Sequence, residues 1–294
     1  MRPARALFRR HDPASRTRYQ ELKALAATQR RVLAGTPGVL KQRTKSGNRY
    51  WVREYIRVDG SKVDDHLGAE STVEKARLEE WRAGIALARA LAAGSAQLRL
   101  FNYQRMERKP AAVLEALYNR GLVAAGLTLV GSHTYGALLN ECGALVRGYR
   151  ELDLGVDVQI SGRKFHDLEP FRELGVRMPP YPLLDFLIGE PIDGVILSPN
   201  QVIPVNLPSP ERFVLHKLYA SQSRTDRGKA PKDLDQAATL AAVLEEDMPG
   251  RLLSTFRRMP SAGKPATRRG ARAAAKRLEG LHPQTEDLLR RIAG

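Results

Sequence analysis

The stretch that decides the fold is Leu129–Leu154, LVGSHTYGALLNECGALVRGYRELDL. An apolar run stops at Gly131-Ser132, a helix-like segment follows, and the chain then reaches Glu-Leu-Asp-Leu. A strand that ends in Gly-Ser at a helix start makes an anion site. Glycine lets the backbone approach a phosphate, the serine hydroxyl adds a donor, and the first helical turn offers free N–H groups. Glu151 and Asp153 are two apart, so on a strand both carboxylates share one face while Leu152 and Leu154 face the core. Two carboxylates facing one way repel unless a cation lies between them, and hard oxygen donors favour Mg²⁺ or Mn²⁺. Asp157, in the neighbouring VDVQI (156–160), is a candidate third carboxylate. Acid–apolar alternation is also what any half-exposed strand shows, so spacing leaves both readings open.

The flanks read outward from there. Residues 17–34 carry a helical apolar stripe ended by Gly35 and Pro37. Residues 38–67 alternate like strands around a Ser46-Gly47-Asn48 turn and an Asp59-Gly60 hairpin signal, predicting a three-stranded sheet. Tyr50, Trp51 and Tyr55 stand there among Lys41, Arg43, Lys45, Arg49, Arg53 and Arg57. That mix suits either a nucleic-acid surface or the small core such a sheet needs. Ser71 with Glu74 forms a capping-box pattern for a helix over 71–92, and 95–110 reads as a basic connector. Helices are expected at 110–122, 210–221 and 231–246, with a hairpin around Pro199-Asn200 between the first and second. The expected divisions are 1–109, 110–250 and a basic helical tail, 251–294.

The chain has 294 residues, 43% of them hydrophobic, which supports a real core. Its one cysteine, Cys142, excludes an internal disulfide and a cysteine zinc site. A lone Cys in a semi-apolar segment packs more often than it reacts. No run approaches the roughly 18 apolar residues of a membrane span, and the basic start lacks the apolar core of a signal peptide. A cytoplasmic protein is expected.

The net charge of +16 sits at the ends. Residues 1–35 carry nine basic and two acidic side chains, net +7; residues 251–294 carry eleven and three, net +8. Basic ends suit RNA or DNA, although no aromatics interleave with them to stack on bases. In RFVLHKLYASQSRTDRGKAPKDLDQAATL (212–240), Lys217 and Arg224 are candidate phosphate contacts. Lys217 sits mid-helix among apolar neighbours and needs a partner if buried. The chain has neither a G-x-S-x-G elbow nor a Walker P-loop.

The pattern hydrophobic-Gly-Ser, helix, then Asp/Glu-x-Asp strand resembles the active-site motif of polymerase-β-like nucleotidyltransferases. A closer resemblance is to a bacterial branch of uncharacterised nucleotidyltransferase-like proteins. It is carried by Arg18-Tyr19 to Leu22, by Gly38 to Gly68, and by Pro208 to Leu240. The resemblance implies an α+β fold: a nucleotidyltransferase-like mixed sheet with flanking helices, preceded by a helix and small antiparallel sheet, and capped by C-terminal helices. It implies Gly131 and Ser132 at the triphosphate, and Glu151, Asp153 and Asp157 as catalytic ligands of Mg²⁺ or Mn²⁺. It further implies an NTP as substrate. Two features depart from the family pattern. Glu151 stands where Asp is usual, and Gly155 and Val156 alone separate the pair from Asp157, where the family places several tens of residues. Two functions therefore stand: transfer of a nucleoside monophosphate from an NTP to a hydroxyl, or a catalytically degenerate relative that binds nucleotide or nucleic acid.

Overall fold

The computed structural model describes residues 6–146, 149, 155–160, 176–177, 182–224 and 227–294. The architecture is the expected α+β mixture of a mixed sheet, a separate three-stranded sheet and a helical C-terminal region.

Strand β1 (Arg9–Arg10) leads into α1 (Pro13–Ala27). Asp12 caps α1 by accepting from the Ser15 N–H at 2.9 Å, and Pro13 fits the first turn because its missing N–H would be unpaired there anyway. Strands β2 (Val39–Lys45), β3 (Asn48–Ile56) and β4 (Lys62–Ala69) form the antiparallel sheet predicted for 38–67. Most of its basic residues are spent internally. Glu54 takes Lys41 and Arg43, both at 2.6 Å, and buried Arg53 pairs with Asp65 at 2.8 Å while donating to the carbonyls of Ala34, Thr36 and Pro37.

Helix α2 spans Lys75–Leu100, not 71–92. Val73 lies against Gly68 at the end of β4, in a turn closed by Val73 N–H to Ala69 C=O, so the chain stays on the sheet past Ser71. The far end extends because Ser95 and Leu98 are buried: Ser95 Oγ donates to the Ser198 carbonyl at 2.7 Å. Helix α1 crosses α2 closely at Gly94, where a Cβ would sit 2.4 Å from Leu22.

The chain continues through α3 (Arg108–Asn119), β5 (Thr128–Val130), α4 (Ser132–Glu141) and β6 (Ala144–Leu145) to β7 (Val156–Gln159) and β8 (Val176–Arg177). Helix α5 (Leu184–Ile188) precedes the hairpin β9 (Pro191–Leu197) and β10 (Val202–Pro208), which turns at Pro199-Asn200 as expected. Helices α6 (Pro210–Ser223), α7 (Ala230–Asp247), α8 (Arg251–Arg258), α9 (Lys264–Leu278) and α10 (Pro283–Ala293) complete it. The main sheet has the order β8-β7-β5-β10-β9. Strand β5 runs parallel to β10 and antiparallel to β7.

One large core joins this sheet to the C-terminal helices. Leu129, Val158 and Ile203 share it with Phe213, Leu240, Leu278 and Leu289. Residues 251–294, expected as a basic tail, thus enter the core through one helix face and leave Arg257, Arg268, Arg269 and Arg272 exposed on the other. Helix α9 touches α6 so closely at Gly270 that a Cβ would lie 2.2 Å from the Leu218 carbonyl oxygen. Among the described residues no helix is long and apolar enough to cross a membrane.

Candidate active site and its neighbouring ion pairs

Strand β5 ends at Val130, and the chain turns into α4 at Gly131 with φ +81° and ψ −149°. That conformation is open to glycine and strained for other residues. A second constraint coincides with it. The register pairs Thr128 with Gln159, Leu129 with Val158 and Val130 with Asp157, so Asp157 stands across from the last residue before the turn. Its carboxylate fills the space a side chain at 131 would occupy: a Cβ there would be 2.3 Å from Asp157 Oδ2. Val156 and Val158, on the other face of β7, enter the core. Alternation along one strand and register with another together deliver a carboxylate to a helix N-terminus, where negative charge is favoured.

The turn is held from behind. Thr134 Oγ1 donates to the Leu129 carbonyl at 3.0 Å, in a buried site. Tyr149 reaches back to the Ser132 carbonyl at 3.4 Å and packs edge-on against Tyr135 with ring centroids 4.8 Å apart. Sequence reasoning passed over both tyrosines although they lie in the opening stretch, because nothing in their spacing marks this contact. His133, next to Ser132, is buried in the first turn of α4.

Of the three expected metal ligands, Asp157 is described, while Glu151 and Asp153 lie outside the described residues. Among the described residues no group of three or more His, Cys, Asp or Glu side chains is arranged to hold a metal ion. Asp157 by itself is an oxygen donor of the kind a hard cation takes.

Lys217 and Arg224 form a second cluster. Both lean on Asp233 in the first turn of α7: Lys217 Nζ lies 2.6 Å from Oδ1 and Arg224 Nε 2.8 Å from Oδ2. Lys217 is 5% exposed and Asp233 2%. Burial holds the Lys217 ammonium below its ordinary pKa even with Asp233 beside it. The partner that a buried Lys217 required is therefore Asp233, sixteen residues further along the chain. The same helix spends its other charges inward too. Glu211 meets Arg251 at 2.5 Å, and Arg212 meets Glu190 and the Phe186 carbonyl, each at 2.6 Å.

Residues 159–259 match the nucleotidyltransferase family. The match covers about a third of the chain and takes in α5 to α8 with the β9–β10 hairpin. Lys217, Arg224 and Asp233 lie inside it; Gly131, Ser132, Glu151, Asp153 and Asp157 precede it. No curated protein and no solved structure matches the chain. Within the matched segment Glu211, Arg212, Lys217 and Asp233 each answer a charge on another part of the fold. The Arg18-Tyr19 motif lies at a packing contact. Tyr19 Oη donates to Glu141 at 2.7 Å and Lys23 meets the same carboxylate at 2.7 Å, docking α1 on the end of α4.

Two titratable groups behave as packing residues. Burial, with Asp247 and Glu141 nearby, pushes the Cys142 thiol up to about 12, which removes it as a thiolate nucleophile at neutral pH. Burial, reinforced by the Lys217 charge, lowers His216 to about 4. A folded pKa below the unfolded value of about 6.5 means the unfolded chain binds the extra proton between those limits. Stability from His216 is complete above about pH 6.5 and is lost as pH falls toward 4, by roughly 3 kcal/mol in all. Urea titrations from pH 4.5 to 7.5 should show the unfolding free energy rising with pH, with a shallower rise in His216→Gln; equal slopes would contradict the assignment.

Proposed function

We propose that this chain is a polymerase-β-like nucleotidyltransferase that moves a nucleoside monophosphate from an NTP to a hydroxyl acceptor, with Mg²⁺ or Mn²⁺. The observation that carries the reading is the Asp157 carboxylate against Gly131 at the N-terminal end of α4. The family match at 159–259 supports the transferase class. In this reading Gly131 and Ser132 take the triphosphate against the first-turn N–H groups of α4. Asp157, with Glu151 and Asp153, would hold the metal. When bound, the ion neutralises phosphate charge and lowers the pKa of the attacking hydroxyl. Lys217 and Arg224 bring two positive charges to one carboxylate, leaving a net charge that favours a nearby polyphosphate.

The test is transfer of label from radiolabelled NTP in the presence of Mg²⁺ or Mn²⁺. Asp157→Asn keeps shape and removes charge, so transfer should fall by roughly tenfold or more. Asp153→Ala should fall as well. Transfer that survives both would remove the carboxylates from the mechanism. The second reading, a binding module without catalysis, draws on the extent of the family match, which begins beyond the turn and the carboxylates. NTP binding indifferent to Mg²⁺, with no transfer, would favour it.

A further inference from the structure

A cleft of about 770 Å³ opens beside α4, between β1, the last turn of α2 and the loop 101–107. Arg9, Arg99 and Arg105 converge on it, and Glu107 is the single acid in its lining. Its arginines differ from the others near the core. Arg10, on the opposite face of β1, is bound to Glu246, Asp247 and two carbonyls; Arg53, Arg212 and Arg224 each have a carboxylate. Among the described residues Arg9, Arg99 and Arg105 have no ion-pair partner, and Arg105 Nε is buried with no hydrogen bond. Burial and the nearby Arg99 charge lower the Arg105 pKa, Glu107 offsets them only in part, and an anionic ligand would relieve the remainder.

An exposed aromatic group lies close in sequence, at the end of α2 and outside the cleft's lining. Leu100 and Phe101 follow Arg99 directly and are 80% and 45% exposed, the two most exposed large apolar side chains of the chain's described residues together with Ile56. The cleft is also fastened to the proposed catalytic helix. Gln104 exchanges two hydrogen bonds with Asn140 of α4, at 2.8 and 2.9 Å, and Tyr149 lines the cleft while reaching Ser132.

We propose that this arginine cleft binds the phosphate backbone of a single-stranded nucleic acid, with Phe101 stacking on a base. Guanidinium groups supply the sequence-independent attraction, and an exposed ring two residues beyond Arg99 supplies what a free phosphate compound would not use. The site is distinct from the basic ends of the chain, although Arg9 belongs to one of them. It does not depend on catalysis.

The experiment is fluorescence anisotropy of the full chain with a labelled single-stranded 12-nucleotide RNA, without NTP or divalent metal, across a salt series. Arg9→Glu/Arg99→Glu alters exposed side chains only, and far-UV circular dichroism and Tm check that the fold is kept. Affinity should fall about tenfold, and the log–log salt slope should flatten by about 1.4 for two lost contacts. Phe101→Ala should weaken binding by roughly fivefold. Arg272→Glu, on the exposed face of α9, should change little. Equal loss in Arg272→Glu would show diffuse attraction and overturn the proposal. So would unchanged binding in the double variant. Normal binding in Phe101→Ala with full displacement by inorganic triphosphate would assign the cleft to a small phosphate ligand and overturn it too.

Discussion

Replacing Asp233 with alanine should cost about 3–5 kcal/mol of folding stability. Asp233 is the shared counterion of Lys217 and Arg224, and Lys217 is almost wholly enclosed between α6 and α7. Removing the carboxylate leaves an ammonium buried without compensation, and the desolvation cost that the pair had offset is then paid in full. Arg224 is more exposed and can turn to water, so Lys217 carries most of the effect. Two further measurements identify the cause. The double variant Lys217→Met/Asp233→Leu should recover most of the loss, because an apolar pair of similar volume needs no desolvation. Asp233→Ala alone should regain stability as pH rises toward the unfolded lysine value. Burial lowers the folded pKa of Lys217, so the unfolded chain binds the extra proton in that window and folding gains with pH. Urea unfolding reads all three. A loss below about 1 kcal/mol in the single variant would show that the ion pair is not the contact that holds α6 to α7.

Gly131→Ala should lower nucleotidyl transfer by about a hundredfold and destabilise the fold by about 1–3 kcal/mol. Two costs fall on one methyl group. The backbone at φ +81° is strained for alanine, and the new Cβ lies inside the contact distance of Asp157 Oδ2. The carboxylate must move, and a displacement near 1 Å at a reacting centre has that order of effect on rate. Asp157→Gly in the same chain separates the two costs. The double variant should recover the steric part of the stability, keep the backbone strain and remain inactive. Thermal unfolding and the radiolabel assay together test it. Full activity in Gly131→Ala would mean that Asp157 acts from elsewhere, which would end the proposed arrangement.

The sequence by itself determined the local pieces. Asp59-Gly60 and Pro199-Asn200 turn their hairpins, and Gly131-Ser132 ends a strand at a helix; the first helix, expected over residues 17–34, instead starts at the Asp12 cap and runs Pro13–Ala27. These are contests among conformations of a few neighbouring residues, so residue type and spacing decide them. The capping-box pattern at Ser71 misled because a contact between Val73 and Gly68 holds that turn on the sheet, and spacing carries no trace of it. Only the tertiary structure decided which charges meet. The antiparallel register of β5 with β7 brought Asp157 to Gly131 across 26 positions. Packing of α6 on α7 gave Lys217 its carboxylate, and three arginines from 9, 99 and 105 came to face one cleft. Such partners are set by through-space distance and by burial, and both depend on how separate segments pack. A linear chain names the charges, but it does not fix the low-dielectric places where their choice of partner becomes a matter of several kcal/mol.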